Sequence, residues 1–244
     1  MGSDSIFISI VIPTYNEESR IDESLDKIMK YMENQGHRYE IILVDDGSCD
    51  NTVDVVKIFS AGNKNMRLIQ NERNRGKGYS IRKGVLDAKG GYILFSDADL
   101  STPIEEIEKL LKYLEEGYEV TIGSRDLPDS DIRLRQPFYR EFSGKIFNRI
   151  ARSITLLGIR DTQCGFKCFK KDAAKTIFSR QRLDGFSFDV ETLYIAKKRG
   201  YKIKEVPVVW INSNPSSVSL GRDSIQMLID LLKIRMNECM GRYS

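Results

Sequence analysis

Histidine and tryptophan occur once each in the 244 residues, and the four cysteines carry no paired spacing. His37 lies far along the chain from Cys49, Cys164, Cys168 and Cys239, which excludes a zinc site of the usual Cys/His spacing. The thiols therefore read as reduced side chains of a cytosolic protein, with Cys164 and Cys168 as packing residues and His37 on a surface loop. No apolar run approaches the roughly 18 residues of a spanning helix, and no basic segment leads into a cleavable apolar one. The chain is expected neither to cross a membrane nor to be secreted. Net charge is small: 38 Lys and Arg against 35 Asp and Glu leave +3, too little to argue for nucleic acid. Internal repeats, low-complexity tracts and linkers are missing as well.

What is present is a globular composition, 41% hydrophobic and 30% charged, in a chain long enough for one main core. The first half alternates strand-like and helix-like segments. "IFISIVIPTYN", "YEIILVDDGS", "MRLIQNE", "GYILFSDADL" and "YEVTIGSR" read as strands. Residues 17–31, "NTVDVVKIFSA", "GKGYSIRKGVLDAKG" and "PIEEIEKLLKYLEEG" read as the helices between them. That alternation predicts an α/β fold with a mostly parallel sheet covered on both faces. In such sheets ligands bind beyond the carboxyl ends of the strands, where "PTYNEE", "VDDGS", "SDADLS" and "GSRD" all lie.

After Arg125 the pattern changes to a loop and then a basic amphipathic helix over about 137–157. At 100° per residue Lys145, Arg149 and Arg152 share one face, opposite Ile146, Phe147, Ile150, Ile154 and Leu157. A strand and helix in "CGFKCFKKDAAKTIF", a helix in "FDVETLYIAKKRG" and a strand in "YKIKEVPVVWIN" follow, the last at a sheet edge because Pro207 cannot donate to a ladder. The tail from Arg222 to Met240 reads as a helix with a wide apolar arc. Both amphipathic helices suit either a membrane surface or packing on protein.

The stretch "DAD" is the most chemically pointed. Asp97 and Asp99 end an apolar strand at the expected ligand crevice, and like charges so close together suggest a cation. Hard divalent cations with open positions are held by one or two carboxylates plus substrate phosphates. A polar strand stop explains the same residues without chemistry. "GKG" follows no adequate glycine-rich fingerprint, which argues against a dinucleotide-binding domain. Lys77 within it either approaches a diphosphate or simply follows a glycine helix start.

In this order and spacing, "SIVIPTYNEE", "VDDGSCDNT", "NRGKG", "DADLS" and "GSRD" resemble the family-2 glycosyltransferases with a GT-A fold. "GIRDTQCGFKCF", "FSFDVETLYIA" and "SSVSLGRDSIQM" are similar to the dolichyl-phosphate glucosyltransferase branch, so the resemblance spans nearly the whole chain. It implies one GT-A domain over 1–244: a nucleotide-sugar half (6–126), an acceptor half (127–221) and a C-terminal, membrane-surface helix (222–244). It further implies that Pro13, Tyr15 and Glu17 line the nucleotide pocket, and that Asp46 accepts from the ring N–H of the base, with Val44 and Asp45 beside it. Lys77 and Ala98 join that pocket. Asp97 and Asp99 would hold Mg²⁺ or Mn²⁺ against the diphosphate, and Arg125 would lie near the donor phosphates or the sugar.

The implied reaction is transfer of a sugar, glucose foremost, from a uridine diphosphate donor to dolichyl or polyprenyl phosphate, with inversion. A phosphomonoester oxygen is already anionic near neutral pH, so no general base is required. Cations are required instead, and Arg125, Arg133, Arg135, Arg140 and Arg222 are the candidates. Arg140 fits the family pattern best and joins Arg125 and the two aspartates in the catalytic set. Gln163, Asp189 and Glu191 are assigned to sugar or acceptor binding, with a structural role open for the last two. Ser101 and Asp189 stand where the mannosyl branch tends to have Gln and Lys, which favours the glucosyl branch. The glucosyl relatives' N-terminal anchor is not seen here, so the expected place is the cytoplasmic face of a membrane, held peripherally. Two alternatives stay open: transfer to a hydroxyl acceptor with Asp189 or Glu191 as base, and a silent nucleotide-sugar-binding module. Trp210 either stacks on a sugar or fills the core.

Overall fold

The computed structural model describes residues 5–134, 138–155, 158–212 and 222–244. Period-2 alternation in the first strands decides which face each residue covers. In β1 (Ile8–Thr14) Ile8, Ile10 and Ile12 face one core, while Val11 faces the other. In β2 (Tyr39–Asp45) Ile41 and Leu43 split from Ile42 and Val44 in the same way. Between them α1 (Ile21–Gln35) buries Ile21, Leu25, Ile28 and Met32 at helical spacing.

The remaining elements in chain order are α2 (Thr52–Gly62), β3 (Met66–Gln70), α3 (Lys77–Asp87), β4 (Tyr92–Ser96), α4 (Ile107–Glu115), β5 (Val120–Ser124) and β6 (Asp131–Leu134). Then come α5 (Phe138–Thr155), β7 (Phe166–Lys170), α6 (Lys171–Arg180), α7 (Phe188–Lys198), β8 (Ile203–Pro207), β9 (Val209–Ile211) and α8 (Arg222–Cys239). Seven strands form one sheet in the order β3-β2-β1-β4-β7-β5-β8. α1, α2 and α4 cover one face, and α3, α5, α6, α7 and α8 cover the other. β1 to β4 run parallel, as expected of strands joined by crossover helices. β7 departs from that pattern, lying antiparallel between β4 and β5.

Two expectations are corrected. The stretch read as a loop after Arg125 contains β6, which pairs with β9 in a separate two-stranded ribbon. The single strand read in "YKIKEVPVVWIN" is two, β8 and β9, parted at Val208; β8 does end the sheet, and Pro207 sits at its last position.

The two amphipathic helices behave differently. Most of the described apolar face of α5 is taken up by the protein's own core, with Phe147 and Ala151 buried and Ile150 and Ile154 packed on it, while Ile146 stays exposed and Leu157 lies outside the described residues. α8 divides its arc: Met227, Leu231 and Ile234 turn inward, while Ile225, Leu228, Ile229, Leu232 and Met236, with Met240 just past its end, stay exposed. No helix among the described residues is long and apolar enough to cross a membrane.

Candidate active site

The carboxyl ends of β1, β2 and β4 meet at one place, and their loops are fastened to one another. Asn16 after β1 holds a positive φ of 54°, and its side-chain oxygen accepts from the backbone N–H of Cys49 at 2.9 Å. The backbone N–H of Asn16 donates to Ser48 Oγ at 2.9 Å. Leu100, just beyond "DAD", holds a φ of 46°. Left-handed conformations at non-glycine residues cost energy and cluster at functional loops.

Asp97 is seated by β7 as much as by its own strand. Its backbone N–H donates to the carbonyl of Gly165 at 3.2 Å. A Cβ at Gly165 would collide with the Asp97 carboxylate, so any larger residue there would push the carboxylate out of this position. Lys77 Nζ lies 2.5 Å from Asp97 Oδ1. Burial alone would lower the Lys77 pKa, but Asp97, then Asp189 and Asp99, outweigh it and raise it above the ordinary value. Asp99 Oδ1 accepts from the backbone N–H of Ser101 at 2.9 Å, and its Oδ2 lies 3.9 Å from Arg20 Nη1. Arg20 grips Glu17 through Nε and, at 2.8 Å, through Nη2, while its buried Nη1 has no hydrogen-bond partner among the described residues. That nitrogen meets only the longer ion-pair contact with Asp99.

Among the described residues no group of three His, Cys, Asp or Glu side chains is arranged to hold a metal. Two carboxylates with oxygen donors suit a Mg²⁺-type ion whose other positions go to phosphate and water. Asp97 and Asp99 fit that group as a pair needing a diphosphate to complete it.

The proposed base-binding residues are heavily committed. Asp46 Oδ1 accepts from Asn71 Nδ2 at 2.8 Å and from the backbone N–H of Arg75 at 2.9 Å, and Oδ2 accepts from Gly76 N–H at 2.7 Å. With about four acceptor positions on a carboxylate, one remains for a base. Asp45 holds its own loop through Gly47 N–H and Ser48 N–H, both at 3.1 Å, and the Ser48 hydroxyl. Glu17 is buried on Arg20, Tyr15 is exposed, and Pro13 is half-buried at the end of β1. The side chain of Val44 is fully buried in the core against α3, which leaves only its backbone to the pocket. Ala98 is likewise turned into the core.

On the acceptor side, Arg125 is clamped by Asp161 through Nε at 2.7 Å and Nη2 at 2.9 Å, and lies 5.6 Å over the Trp210 ring. Burial opposes ionisation of Asp161, but Arg125 holds its pKa down at about 2. Trp210 is buried there and supports the arginine. Gln163 is half-buried, its backbone N–H donating to Asp161 Oδ1 at 3.2 Å. Arg133 is exposed and paired with Asp131 at 2.9 Å. Arg135 and the side chains of Arg140 and Arg222 lie outside the described residues.

Of the two roles open for Asp189 and Glu191, the packing shows the structural one. Asp189 is 4% exposed, with Oδ1 at 2.5 Å from the fully buried Lys167 Nζ. Glu191 is 0% exposed and accepts from the backbone N–H groups of Arg182 and Leu183 and from the Tyr243 hydroxyl. The residues not anticipated are Arg20, Asn71, Asp161, Gly165 and Lys167. Arg20 stands three residues after Glu17, and that spacing is the one local signal among them.

Residues 9–178 match the family model described as glycosyl transferase family 2. Over 258 residues the chain is 35% identical to the dolichyl-phosphate beta-glucosyltransferase of Saccharomyces cerevisiae, covering 98% of this chain and 77% of that protein. The Homo sapiens protein of the same name is 35% identical over 249 residues, 97% of this chain and 77% of the relative. Among solved structures, glucosyl-3-phosphoglycerate synthase from Mycobacterium tuberculosis, in complex with Mn²⁺, UDP and glucosyl-3-phosphoglycerate, has a TM-score of 0.71 at 19% identity. That match covers 93% of this chain and 79% of the other and establishes the likeness of fold.

Proposed function

The chain belongs to glycosyl transferase family 2, and we propose that it transfers glucose from UDP-glucose to dolichyl or polyprenyl phosphate, giving a β-linked lipid-phosphate glucose. The observation that carries this reading is the meeting of Asp97, Asp99, Lys77 and Arg20 at the end of β4. It occurs in a chain 35% identical, over nearly its whole length, to dolichyl-phosphate beta-glucosyltransferases.

On this reading Asp46, Tyr15, Pro13 and Glu17 frame the nucleotide, and Asp97 and Asp99 present oxygens to Mg²⁺ or Mn²⁺. Bound there, the ion would neutralise charge on the departing diphosphate. Lys77 and Arg20 add fixed positive charge at the same place. Arg125, kept charged and oriented by Asp161, reaches the acceptor phosphate or the sugar through the nitrogen that Asp161 does not hold. Arg133, Arg135, Arg140 and Arg222 would supply the other acceptor-side cations. An acceptor phosphate oxygen attacks the anomeric carbon, the bond to the UDP oxygen breaks on the opposite face, and UDP departs. The configuration inverts.

The carboxylates favour a phosphate acceptor over a hydroxyl. A hydroxyl needs a base, yet Asp189 is committed to Lys167 and Glu191 is enclosed. A phosphomonoester, ionised near neutral pH, needs none. Intact Asp97 and Asp99 favour an enzyme over a silent module. The exposed stripe of α8, flanked at helical spacing by Lys233 and Arg235, is the surface we assign to peripheral contact with the lipid headgroup region.

The test is label transfer from UDP-[¹⁴C]glucose to the organic phase with dolichyl phosphate and Mg²⁺ or Mn²⁺. The reading requires label that depends on both the metal and the lipid phosphate. Donor binding with transfer only to a hydroxyl acceptor, or with no transfer at all, refutes it.

A further inference from the structure

The loop that beds Lys77 is held in turn by a residue far outside the site. We propose that Tyr243, in the turn after α8, is a positioning residue for donor binding, acting through Glu191 and residues 181–185 on the segment 76–79. The inference rests on the donor-site reading above.

Tyr243 is fully buried, and its hydroxyl donates to Glu191 Oε1 at 2.6 Å while accepting from Asn237 Nδ2 at 3.2 Å. Glu191 Oε2 accepts from the backbone N–H groups of Arg182 at 3.0 Å and Leu183 at 2.8 Å. The next contacts pass to α3. The Asp184 carbonyl accepts from Tyr79 N–H at 3.1 Å, and Gln181 Nε2 donates to the carbonyls of Gly78 at 2.9 Å and Leu183 at 2.8 Å. On its far side the same segment meets the donor site, with Gly76 N–H on Asp46 and Lys77 on Asp97. Tyr243 thus stands at one end of a path of hydrogen bonds joined by the backbone of 181–184 and 76–79, with the proposed uracil and metal carboxylates at the other.

The packing leaves this chain no slack. A Cβ at Gly78 would lie 2.6 Å from Phe188 Cβ and 2.8 Å from the Leu183 carbonyl. The segment therefore follows the loop when the loop moves. Without the Tyr243 hydroxyl, Glu191 keeps a buried oxygen short of a partner. Either a shift or protonation of the carboxyl relieves that cost, and both loosen its hold on the two amides. α8 also carries the exposed stripe on its other face, so the surface assigned to lipid and the donor loop share one fastening.

The experiment compares wild type and Tyr243→Phe by UDP titration with Mn²⁺, by amide hydrogen exchange and by thermal melting. A loss of one such bond predicts UDP binding weaker by about tenfold. Faster exchange is expected at residues 76–79 and 182–183, with β1 and β2 unchanged. Glu191→Gln acts on the same link and serves if Tyr243→Phe does not fold; the double variant should lose less than the product of the single losses. Unchanged UDP affinity and unchanged protection at 76–79 in a folded variant overturn the proposal, even if melting falls. If wild type itself fails to bind UDP, the donor reading falls, and the exchange comparison alone decides the link.

Discussion

Lys77 places its ammonium 2.5 Å from Asp97 Oδ1, on the carboxylate that a divalent cation would also need. The two cations therefore compete when no diphosphate is present and cooperate when one is. Lys77→Met is expected to bind Mn²⁺ alone more tightly and UDP in the presence of Mn²⁺ more weakly, each by about fivefold for a partly exposed pair. Calorimetric titration of metal and then nucleotide reads both. A variant weaker for Mn²⁺ alone rules out competition.

Asp99 has one oxygen on a backbone turn and the other toward Arg20. Asp99→Ala should lower turnover by at least about 100-fold while leaving the far-ultraviolet spectrum unchanged, because what is lost is charge stabilisation of the leaving group. Undiminished activity in metal-supplemented buffer would remove Asp99 from the metal site.

The Arg125–Asp161 pair predicts an acid dependence of stability. Asp161 has its carboxyl held at about 2, below its ordinary value of 3.8. A carboxyl depressed by folding contributes stability in full above its unfolded pKa, and the contribution is lost as pH falls from about 4 toward 2. Asp161→Asn should cost about 2–4 kcal/mol at pH 7 by stranding Arg125. It should also flatten the acid slope in that window. Urea midpoints at pH 7, 4 and 3 check both; an unchanged slope would mean that other carboxyls carry it.

Thiol chemistry offers a simpler check on the fold. Cys164 and Cys168 are buried, with burial raising their pKa to about 11 and about 12, while Cys49 and Cys239 are exposed. A thiolate-directed reagent should modify two thiols per chain in the native state and four after denaturation. Rapid reaction of a third native thiol would contradict the packing of β7.

The α8 stripe predicts a vesicle result. Leu232 and Ile225 are each 63% exposed. Changing both to Asp should lower co-flotation with phosphatidylglycerol-containing vesicles by about tenfold or more, since each loses an apolar contact worth about 1.5 kcal/mol or more on full burial. Label transfer to a water-soluble short-chain acceptor should persist. Equal flotation of variant and wild type would point to another surface.

Much of the site was legible because its residues sit in local patterns. Asp97 and Asp99 follow an apolar strand, and Lys77 follows a glycine. Strand and helix periodicity likewise located most of the sheet. What escaped is non-local. Asp161 is matched to Arg125 from 36 residues away, and Tyr243 to Glu191 from 52. β6 and β9 are too short, at four and three residues, for alternation to register. Val44 adjoins a loop acid, yet in a two-faced sheet its side chain turns into the core, which the local sequence does not signal. Glu191 looks like a polar helix residue until the fold encloses it.

β7 has a consequence for how the protein can be divided. It reaches back between β4 and β5, so a strand from the second half of the chain separates two from the first. A fragment ending at Arg125 would keep every nucleotide-side motif yet leave β4 with a bare edge, β5 with no partner and Asp97 without the Gly165 wall. Such a fragment is expected to aggregate through that edge rather than to bind a nucleotide. The halves that succeed one another in sequence are woven in space, and neither is a spare part that evolution or an engineer can lift out alone.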